Sequence, residues 1–124
     1  MKVGDYVRTK NKAPFEPSQI AKITDMKKDV GYKNQYFITL DHNLPTTYNF
    51  HIYSEDVIKS SPNIIDLIEE GDIVNYGLLG GGMVIFKKDG EITTNTILFS
   101  TLKEKDIKKI ITKEQIENME YEVK

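Results

Sequence analysis

A short Gly-Asp phrase occurs twice in the chain, as Val3–Val7 and again as Glu70–Val74. Each copy precedes a stretch rich in β-forming residues, and each stretch ends on an acidic, apolar and basic run. Those runs are Glu55–Lys59 and Lys105–Lys109. An internal repeat constrains the architecture more strongly than any single motif. The sequence therefore predicts a mainly β protein of two tandem modules, residues 1–61 and 62–124, with a short C-terminal helix.

Size and charge limit what such modules can do. Each half of the 124 residues is about 60 residues long, a length at which burial barely offsets chain entropy. We therefore expect the halves to share an interface or the chain to form a homo-oligomer. The net charge of −2 gives no general attraction to nucleic acid or to an anionic membrane. Without cysteine, disulfides and thiolate metal sites are excluded.

Arg8 is the single arginine, against sixteen lysines among the 17 basic residues. Bidentate reading of phosphates and guanine edges relies on arginine, so this composition disfavours specific duplex recognition. No apolar run approaches the roughly 20 residues that span a bilayer. The N-terminus reads directly into a strand, and we predict a cytoplasmic protein without a membrane partner.

Local patterns predict most of the elements. We expect a short strand at 20–23, a charged turn at 26–34, and strands at 35–40 and 48–53. A turn capped by Ser54 follows, and Lys105–Ile107 repeats it. In the second module, Asp89-Gly90 predicts a hairpin between strands at 83–86 and 91–94.

Two caps are predicted beside the strands. Asn63 is placed to cap a turn that brings Ile64, Ile65 and Ile68 together. Thr112 and Gln115 have the spacing of a capping box, which predicts the start of the C-terminal helix.

Candidate chemistry is sparse, so no catalytic residue, metal ligand or cofactor is assigned. The histidines His42 and His51 fall on separate elements without ligand spacing, and His51 is predicted on the solvent face of a strand. The acidic cluster Glu69, Glu70 and Asp72 favours a solvated corner over an acid–base pair. The glycine-rich run 77–82 leads into a strand and lacks the Lys-Ser/Thr of a phosphate loop.

Two binding surfaces are predicted instead. A protein partner fits exposed leucines on the glycine loop together with tyrosines of the first module: Leu78, Leu79, Gly80, Gly81, Tyr36, Tyr48 and Tyr53. The alternative is single-stranded nucleic acid stacked on tyrosines beside basic residues, although the acidic net charge disfavours it. Those basic residues are Arg8, Lys10, Lys27, Lys28 and Lys33.

The phrase Gly4-Asp5-Tyr6-Val7, the short strands after it and the acidic turn resemble KOW, Tudor and other SH3-like barrel modules. This resemblance implies two tandem small SH3-like barrels, and it bears on fold more than on role. Residues 2–10, 60–72, 111–115 and 119–121 together resemble a set of small proteins carried by phages and prophages of low-GC Gram-positive bacteria. No catalytic residue is carried over from that set.

Three functions remain open at this point. The first is a non-enzymatic module that binds a host or phage protein and inhibits a host defence complex, in the manner of an anti-CRISPR protein. The phage-like resemblance implies this context. The second is a KOW-like nucleic-acid-binding module, whose affinity would fall with salt. The third is an oligomer that sequesters a small ligand. An enzyme is the least favoured class.

Overall fold

The computed structural model describes residues 1–12, 17–31, 35–41, 51–75, 82–95 and 101–119. The side chains of residues 85, 86, 118 and 119 are outside this description. Ten strands, three 3₁₀ turns and one helix make up the described parts. The strands are β1 Tyr6–Thr9, β2 Ile20–Asp29, β3 Gln35–Leu40, β4 His51–Tyr53, β5 Val57–Ser61, β6 Ile73–Val74, β7 Gly82–Lys88, β8 Glu91–Thr94, β9 Thr101–Lys103 and β10 Ile110–Ile111. The turns are Ser54–Asp56, Ile64–Leu67 and Glu104–Asp106, and helix α1 is Lys113–Met119.

The strands form two antiparallel five-stranded sheets with one topology. The first sheet has the order β4-β3-β2-β1-β5, and the second has the order β9-β8-β7-β6-β10. A 3₁₀ turn precedes the last strand in both, at Ser54–Asp56 and Glu104–Asp106. The predicted mainly β class, the short C-terminal helix and the repeated turn are confirmed. In the described pairings each sheet is open, with β4 and β5 or β9 and β10 at its edges.

Strand β2 is longer than predicted. Met26 to Asp29 were expected in a charged turn, but they pair with β3 from Ile38 to Gln35. A register shift between Ile23 and Asp25 lets the strand continue past the core. The prediction was wrong because charged residues at the end of a hairpin remain in the ladder when one face is solvated. Of the predicted strand 48–53, residues 51–53 lie within the described part.

The predicted caps have mixed outcomes. The Asn63 side chain accepts a hydrogen bond from Ile65 N, which confirms that cap. Thr112 and Gln115 exchange backbone-to-side-chain bonds of 3.0 and 3.2 Å, which confirms the capping box. Ser54 does not cap its turn. Its hydroxyl instead donates to Gln35 Oε1 and accepts from Tyr36 N, because β3 lies alongside.

The Asp-Gly hairpin is confirmed between β7 and β8. Asp89 has a φ of 51° and Gly90 a φ of 76°. Two successive residues in the left-handed region are the geometry of the type I′ turn, which matches the twist of the paired strands.

Two apolar cores lie on opposite sides of the first sheet. One contains Val7, Ala21 and Ile38, and it belongs to the first half. The other is built on residues 65–110 of the second half, including Ile65 and Ile68 with Ile64 packed against it, but it also takes in Ile20 of the first sheet. The halves therefore share an apolar interface, as their small size led us to expect. Among the described residues, no helix is long and apolar enough to cross a membrane.

Candidate functional site

The Gly-Asp phrase builds the same turn at the start of both sheets. Gly4 and Gly71 each have a φ of 96°, which side chains rarely adopt. Each glycine N–H donates to a carbonyl of the second strand, at 2.9 Å for Gly4 and 2.8 Å for Gly71. Each following aspartate accepts the N–H three residues before it, from Lys2 at 3.1 Å and from Glu69 at 2.8 Å. The repeat is thus a structural element that starts the sheet.

Position 8 makes the first copy different from the second. Arg8 lies three residues after Asp5, and its side chain is 1% exposed. Its Nη1 donates to Asp72 Oδ2 at 2.7 Å and to the Leu67 carbonyl at 3.0 Å. Its Nη2 donates to Asp72 Oδ1 at 3.1 Å and to Glu114 Oε2 at 2.8 Å.

The fifth donor of Arg8, Nε, lies 2.9 Å from Glu69 Oε2. The guanidinium therefore donates four hydrogen bonds and forms an ion pair at Nε, and every partner belongs to the second half of the chain. Asp72 is 0% exposed, which corrects its predicted place in a solvated acidic corner. Glu69 and Glu70 are exposed, as that prediction required.

Arg8, its acidic partners and Lys113 form a group of charges that we call the Arg8 cluster. The acidic partners are Glu69, Asp72 and Glu114. Helix α1 contributes Lys113 and Glu114 to this cluster. Asp72 Oδ1 accepts the Lys113 backbone N–H at 2.9 Å, and Lys113 Nζ donates to Glu69 Oε1 at 3.1 Å. A carboxylate at the first turn of a helix interacts favourably with its unpaired N–H groups. The Arg8 cluster therefore joins β1, the second Gly-Asp turn and α1.

Contacts within the Arg8 cluster shift the pKa values of Arg8, Glu69 and Lys113. Burial alone would lower the pKa of Arg8, but the hydrogen bond and charge of Asp72, with Glu114 and Glu69, raise that pKa overall. Burial would raise the pKa of Glu69, but the hydrogen bond from Lys113 and the charge of Arg8 lower it. The hydrogen bond to Glu69 raises the pKa of Lys113. All three shifts favour the charged forms of Arg8, Glu69 and Lys113, and we call this set of charge contacts between the halves the ionic lock.

Two buried hydroxyl groups, of Thr112 and Ser18, form further hydrogen bonds where the two halves meet. Thr112 Oγ1 donates to the Ser18 carbonyl at 2.5 Å, and Ser18 Oγ donates to the Thr9 carbonyl at 2.6 Å. Among the residues that the structure describes, the buried Gln115 Nε2 has no hydrogen-bond partner. The segment before β2 is therefore tied to the cap of α1.

The face of the first sheet that contains Arg8 has two parts, one that contacts the second half of the chain and one that is exposed. Tyr6 and Arg8 pair with Lys22 and Ile20, and side chains alternate between faces along each strand. After the register shift in β2, the same face continues through Lys27 and the cross-strand pairs of β3 and β4. The β1 end of this face packs on the second half, and among the described residues the β3–β4 end is open, with His51 exposed.

The open end carries three aromatic rings, Phe37, His51 and Tyr53, which we call the aromatic face. Phe37 is stacked on His51 with ring centroids 5.0 Å apart, and it meets the Tyr53 edge at 5.5 Å. The Tyr53 hydroxyl donates to Asp29 Oδ2 at 3.1 Å. His51 is exposed, as predicted, and Phe37 and Tyr53 are half-buried. These contacts fix the rings at an edge strand.

The predicted partner surface is only partly within the described residues. Tyr53 belongs to the aromatic face. Tyr36 is 42% exposed and pairs with Lys28, one position along from Phe37, so it lies on the opposite face of β3. The remaining members, Leu78, Leu79, Gly80, Gly81 and Tyr48, lie outside the described residues.

The alternative nucleic-acid set is dispersed. Arg8 is buried and its donors are occupied, so its guanidinium is not presented to solvent. Lys10, Lys27 and Lys28 are exposed, and Lys27 pairs directly with Phe37 across β2 and β3. Lys33 lies outside the described residues.

Sequence reasoning missed the role of Arg8 and Asp72, although one signal for it was present. In a chain that otherwise uses lysine, the one arginine stands in a strand whose neighbours are mostly apolar. Arginine suits buried ion pairs because its planar fork binds carboxylates bidentately and is weakly hydrated.

Within the described ranges, no group of three or more His, Cys, Asp or Glu side chains is arranged to hold a metal ion. The carboxylates of Glu69, Asp72 and Glu114 surround the Arg8 guanidinium, so a cation already lies among them. Comparisons of the chain with family models, curated proteins and solved structures found no match, so its function is argued from this geometry.

Proposed function

We propose that this chain is a non-enzymatic module of two SH3-like units that binds a protein partner through the aromatic face. The observation that carries the proposal is the stacked Phe37–His51 pair beside Tyr53, which lies on β3 and the edge strand β4. Aromatic side chains are enriched in the centres of protein interfaces because they bury a large area at low entropic cost. The aromatic face has this composition, and Asp29 holds the Tyr53 hydroxyl in place.

The ionic lock supports a binding role by fixing the surface. Arg8 and its acceptors connect the two sheets, so the first sheet is held from its β1 end. A preorganised surface loses less freedom on binding, which increases affinity without additional contacts.

The resemblance to phage and prophage proteins gives this proposal its context. We propose that the partner is a host or phage protein, and that binding inhibits a host defence complex such as a CRISPR effector. Expression of the protein in a host with an active CRISPR system is expected to raise the plating efficiency of a targeted phage. Unchanged plating in hosts with several such systems contradicts the CRISPR part of the proposal.

The binding surface is tested with a matched pair of variants. The tagged wild-type protein, the double variant Phe37→Ala/His51→Ala and the variant Tyr36→Ala are used to capture proteins from lysate of a phage-infected Gram-positive host, with nuclease present. We expect one stoichiometric protein with wild type and with Tyr36→Ala. The double variant is expected to bind it about tenfold to a hundredfold more weakly, as for the loss of interface anchors.

Circular dichroism melting is the control in this experiment, since an unfolded double variant would also fail to bind. Equal capture by wild type and the double variant, with equal melting temperatures, argues against the aromatic face. Loss of capture by Tyr36→Ala alone moves the surface to the opposite face of β3.

The sequence predicts that Leu78 and Leu79 also contact the protein partner. We expect the double variant Leu78→Asp/Leu79→Asp to lose the same partner while its melting temperature stays within a few degrees of wild type. Retained binding removes the glycine loop from the surface and leaves the aromatic face as the site.

A second candidate function is single-stranded nucleic-acid binding. The observation in its favour is the cross-strand pairing of Lys27 with Phe37 and of Lys28 with Tyr36, which places a lysine directly opposite each aromatic residue in the ladder. Bases stack on such aromatics while lysines contact phosphates. This function requires an affinity for single-stranded RNA or DNA that falls steeply between about 50 and 200 mM salt. Capture of a partner that survives nuclease favours the protein-binding function.

A further inference from the structure

A cleft lies where the two halves meet, away from the aromatic face. Its volume is about 290 Å³. In the first half the lining comes from β1, the start of β2 and the residue after β3. The turn Ile64–Leu67 and the segment that leads into β10 complete it. The lining residues are Tyr6, Ile20, Ala21, Lys22, Asp41, Ile64, Ile107, Lys108, Lys109 and Ile110.

Six of the ten lining residues are apolar or aromatic and form one wall of the cleft. Ile20 and Ile110 are each 6% exposed and belong to the core that both halves share. Tyr6, Ile64 and Ile107 are half-buried and pack against that core. Their partly accessible surfaces can cover the apolar part of a ligand.

The charges that line the cleft are mainly positive. Three lysines, Lys22, Lys108 and Lys109, face one carboxylate, Asp41. Asp41 Oδ1 already accepts the Lys22 backbone N–H at 2.8 Å. The chain as a whole has a net charge of −2, so this local excess of positive charge is opposite to the charge of the molecule.

The lysines are positioned by the fold. Lys22 Nζ lies 5.7 Å from the centroid of the Tyr6 ring, which places its ammonium over the apolar wall. The Lys108 backbone N–H donates to Asn75 Oδ1 at 2.8 Å, and this bond fixes the position of its Cα. Among the described residues, no carboxylate forms an ion pair with the ammonium of Lys22 or Lys108.

We propose that this cleft binds a small organic anion, a carboxylate or phosphate ester whose apolar body is about the size of an aromatic ring. The isoleucines and Tyr6 would cover the body, and Lys22 and Lys108 would bind the anionic group. Ligand pockets begin at about 300 Å³, so the volume selects a compact ligand. The inference goes beyond the proposed protein-binding function, because the cleft shares no residue with the aromatic face.

The class of ligand is tested by titrating ¹⁵N-labelled protein with four probes followed by NMR. Phenyl phosphate and phenylacetate carry both features, inorganic phosphate lacks the apolar body, and benzylamine reverses the charge. We expect saturable shifts at Ile107 to Ile110 and at Lys22 for the first two probes, at concentrations up to about 1 mM. Shifts of equal affinity with benzylamine overturn the charge argument, and equal affinity for inorganic phosphate overturns the requirement for an apolar body.

Two matched double variants test the location. Lys22→Glu/Lys108→Glu changes two lysines of the cleft, and Lys27→Glu/Lys28→Glu makes the same charge change on exposed positions of β2 outside it. The first is expected to weaken phenyl phosphate binding about tenfold or more, and the second less than about twofold. Equal weakening by both assigns the binding to overall charge and overturns the site.

A third variant tests the apolar wall independently of charge. Ile107→Gln is expected to weaken phenylacetate binding severalfold, with the melting temperature showing that the variant is folded. No saturable shift with any of the anionic probes in folded wild-type protein overturns the proposal, and this result leaves the protein-binding function intact because that function is measured on another surface.

Discussion

Positions 8 and 75 follow the same Gly-Asp-x-Val phrase in the two halves, but they hold an arginine and an asparagine. Arg8 reaches out of its own sheet and donates to Asp72, Glu114 and Leu67 of the second half. Asn75 stays within its own sheet, where its side chain accepts from Lys108 N at 2.8 Å and donates to the Asp106 carbonyl at 2.9 Å. The two positions start from the same backbone turn and end in different roles.

The aspartates of the two turns differ in the same way. Asp5 and Asp72 both accept the N–H three residues earlier, but Asp72 also accepts two N–H groups of Arg8 and the backbone N–H of Lys113. Both turns therefore begin a sheet, and the second turn also binds Arg8 of the first half through Asp72. A repeated phrase conserves local structure while its side chains specialise for the contact between repeats.

The largest expected effect comes from removing the arginine that distinguishes the halves. Arg8→Met leaves Asp72 buried without its cationic partner, which typically costs about 3–5 kcal/mol of folding free energy. Arg8→Lys keeps the charge but loses the bidentate fork, so we expect a smaller loss. Urea denaturation of both variants gives the values. A loss below about 1 kcal/mol for Arg8→Met contradicts the ionic lock.

The second comparison concerns the second strand of each sheet, β2 and β7. Ala21 and Gly82 occupy matching positions, since Lys22 and Met83 each donate their backbone N–H to the residue that follows the next strand, Asp41 or Asn95. A Cβ on Gly82 would lie 2.4 Å from Thr94 Cβ, a distance that requires the backbone to move. Gly82→Ala is therefore expected to cost about 1–3 kcal/mol by overpacking.

Ala21→Gly is the matched variant for that strand. It removes a methyl group from the core of the first half and increases the conformational entropy of the unfolded chain. We expect it to lower the free energy of unfolding by about 1 kcal/mol. Thermal melting of both variants ranks them. A stabilising effect of Gly82→Ala would show that the second half does not need the close approach of β7 and β8.

The third prediction concerns Asn75 alone. Its φ of 53° and its side-chain bonds to the segment before β10 give it two roles. Asn75→Gly keeps the backbone conformation and loses the bonds, at about 1–2 kcal/mol, and Asn75→Ala adds the strain of the left-handed region. Both variants lose the side-chain bonds, so the difference between them reports on the backbone angle. If urea denaturation shows Asn75→Ala to be more stable than Asn75→Gly, the strain argument is wrong.

The smallest effect is a pH dependence from Glu69, which stands where the first turn has Lys2. The pKa of Glu69 is lowered in the folded protein, so the folded state binds fewer protons than the unfolded state in the acidic range. Its contribution to stability is present above the ordinary pKa of glutamate and is lost as the pH falls through the lowered pKa.

We therefore expect the urea midpoint of Glu69→Gln to fall less steeply than that of wild type between about pH 5 and pH 3. Lys2→Gln is the control and is expected to keep the wild-type slope. Parallel slopes for wild type and Glu69→Gln would show that the contact with Arg8 and Lys113 does not depend on the carboxylate charge.

The elements that the sequence predicted well are those with a local cause. The Asp89-Gly90 hairpin, the Asn63 cap and the Thr112–Gln115 capping box each depend on residues at most three positions apart. Prediction failed where a distant strand decided the outcome. Ser54 bonds to β3 because that strand passes beside its turn, and β2 extends to Asp29 because β3 pairs with it.

The same division holds for the candidate sites. Tyr53 and the aromatic character of the first half were identified from the sequence, but only the register separated Tyr36 from Phe37 by face. The charge excess of the cleft comes from Lys22 and Lys108, which are 86 positions apart and are brought together by the packing of the halves. A pattern in the sequence reports periodicity, and it does not report which face another element covers.

By itself, the sequence determined that this protein is mainly β, that it repeats one turn, and that it lacks the thiol chemistry of cysteine. The tertiary structure decided that Arg8 and Asp72 are internal, because one face of the first sheet packs on the second half. The physical reason is the range of the forces involved. Turns and caps form from hydrogen bonds between near neighbours, whereas a buried ion pair forms where packing excludes water around two residues separated by more than sixty positions.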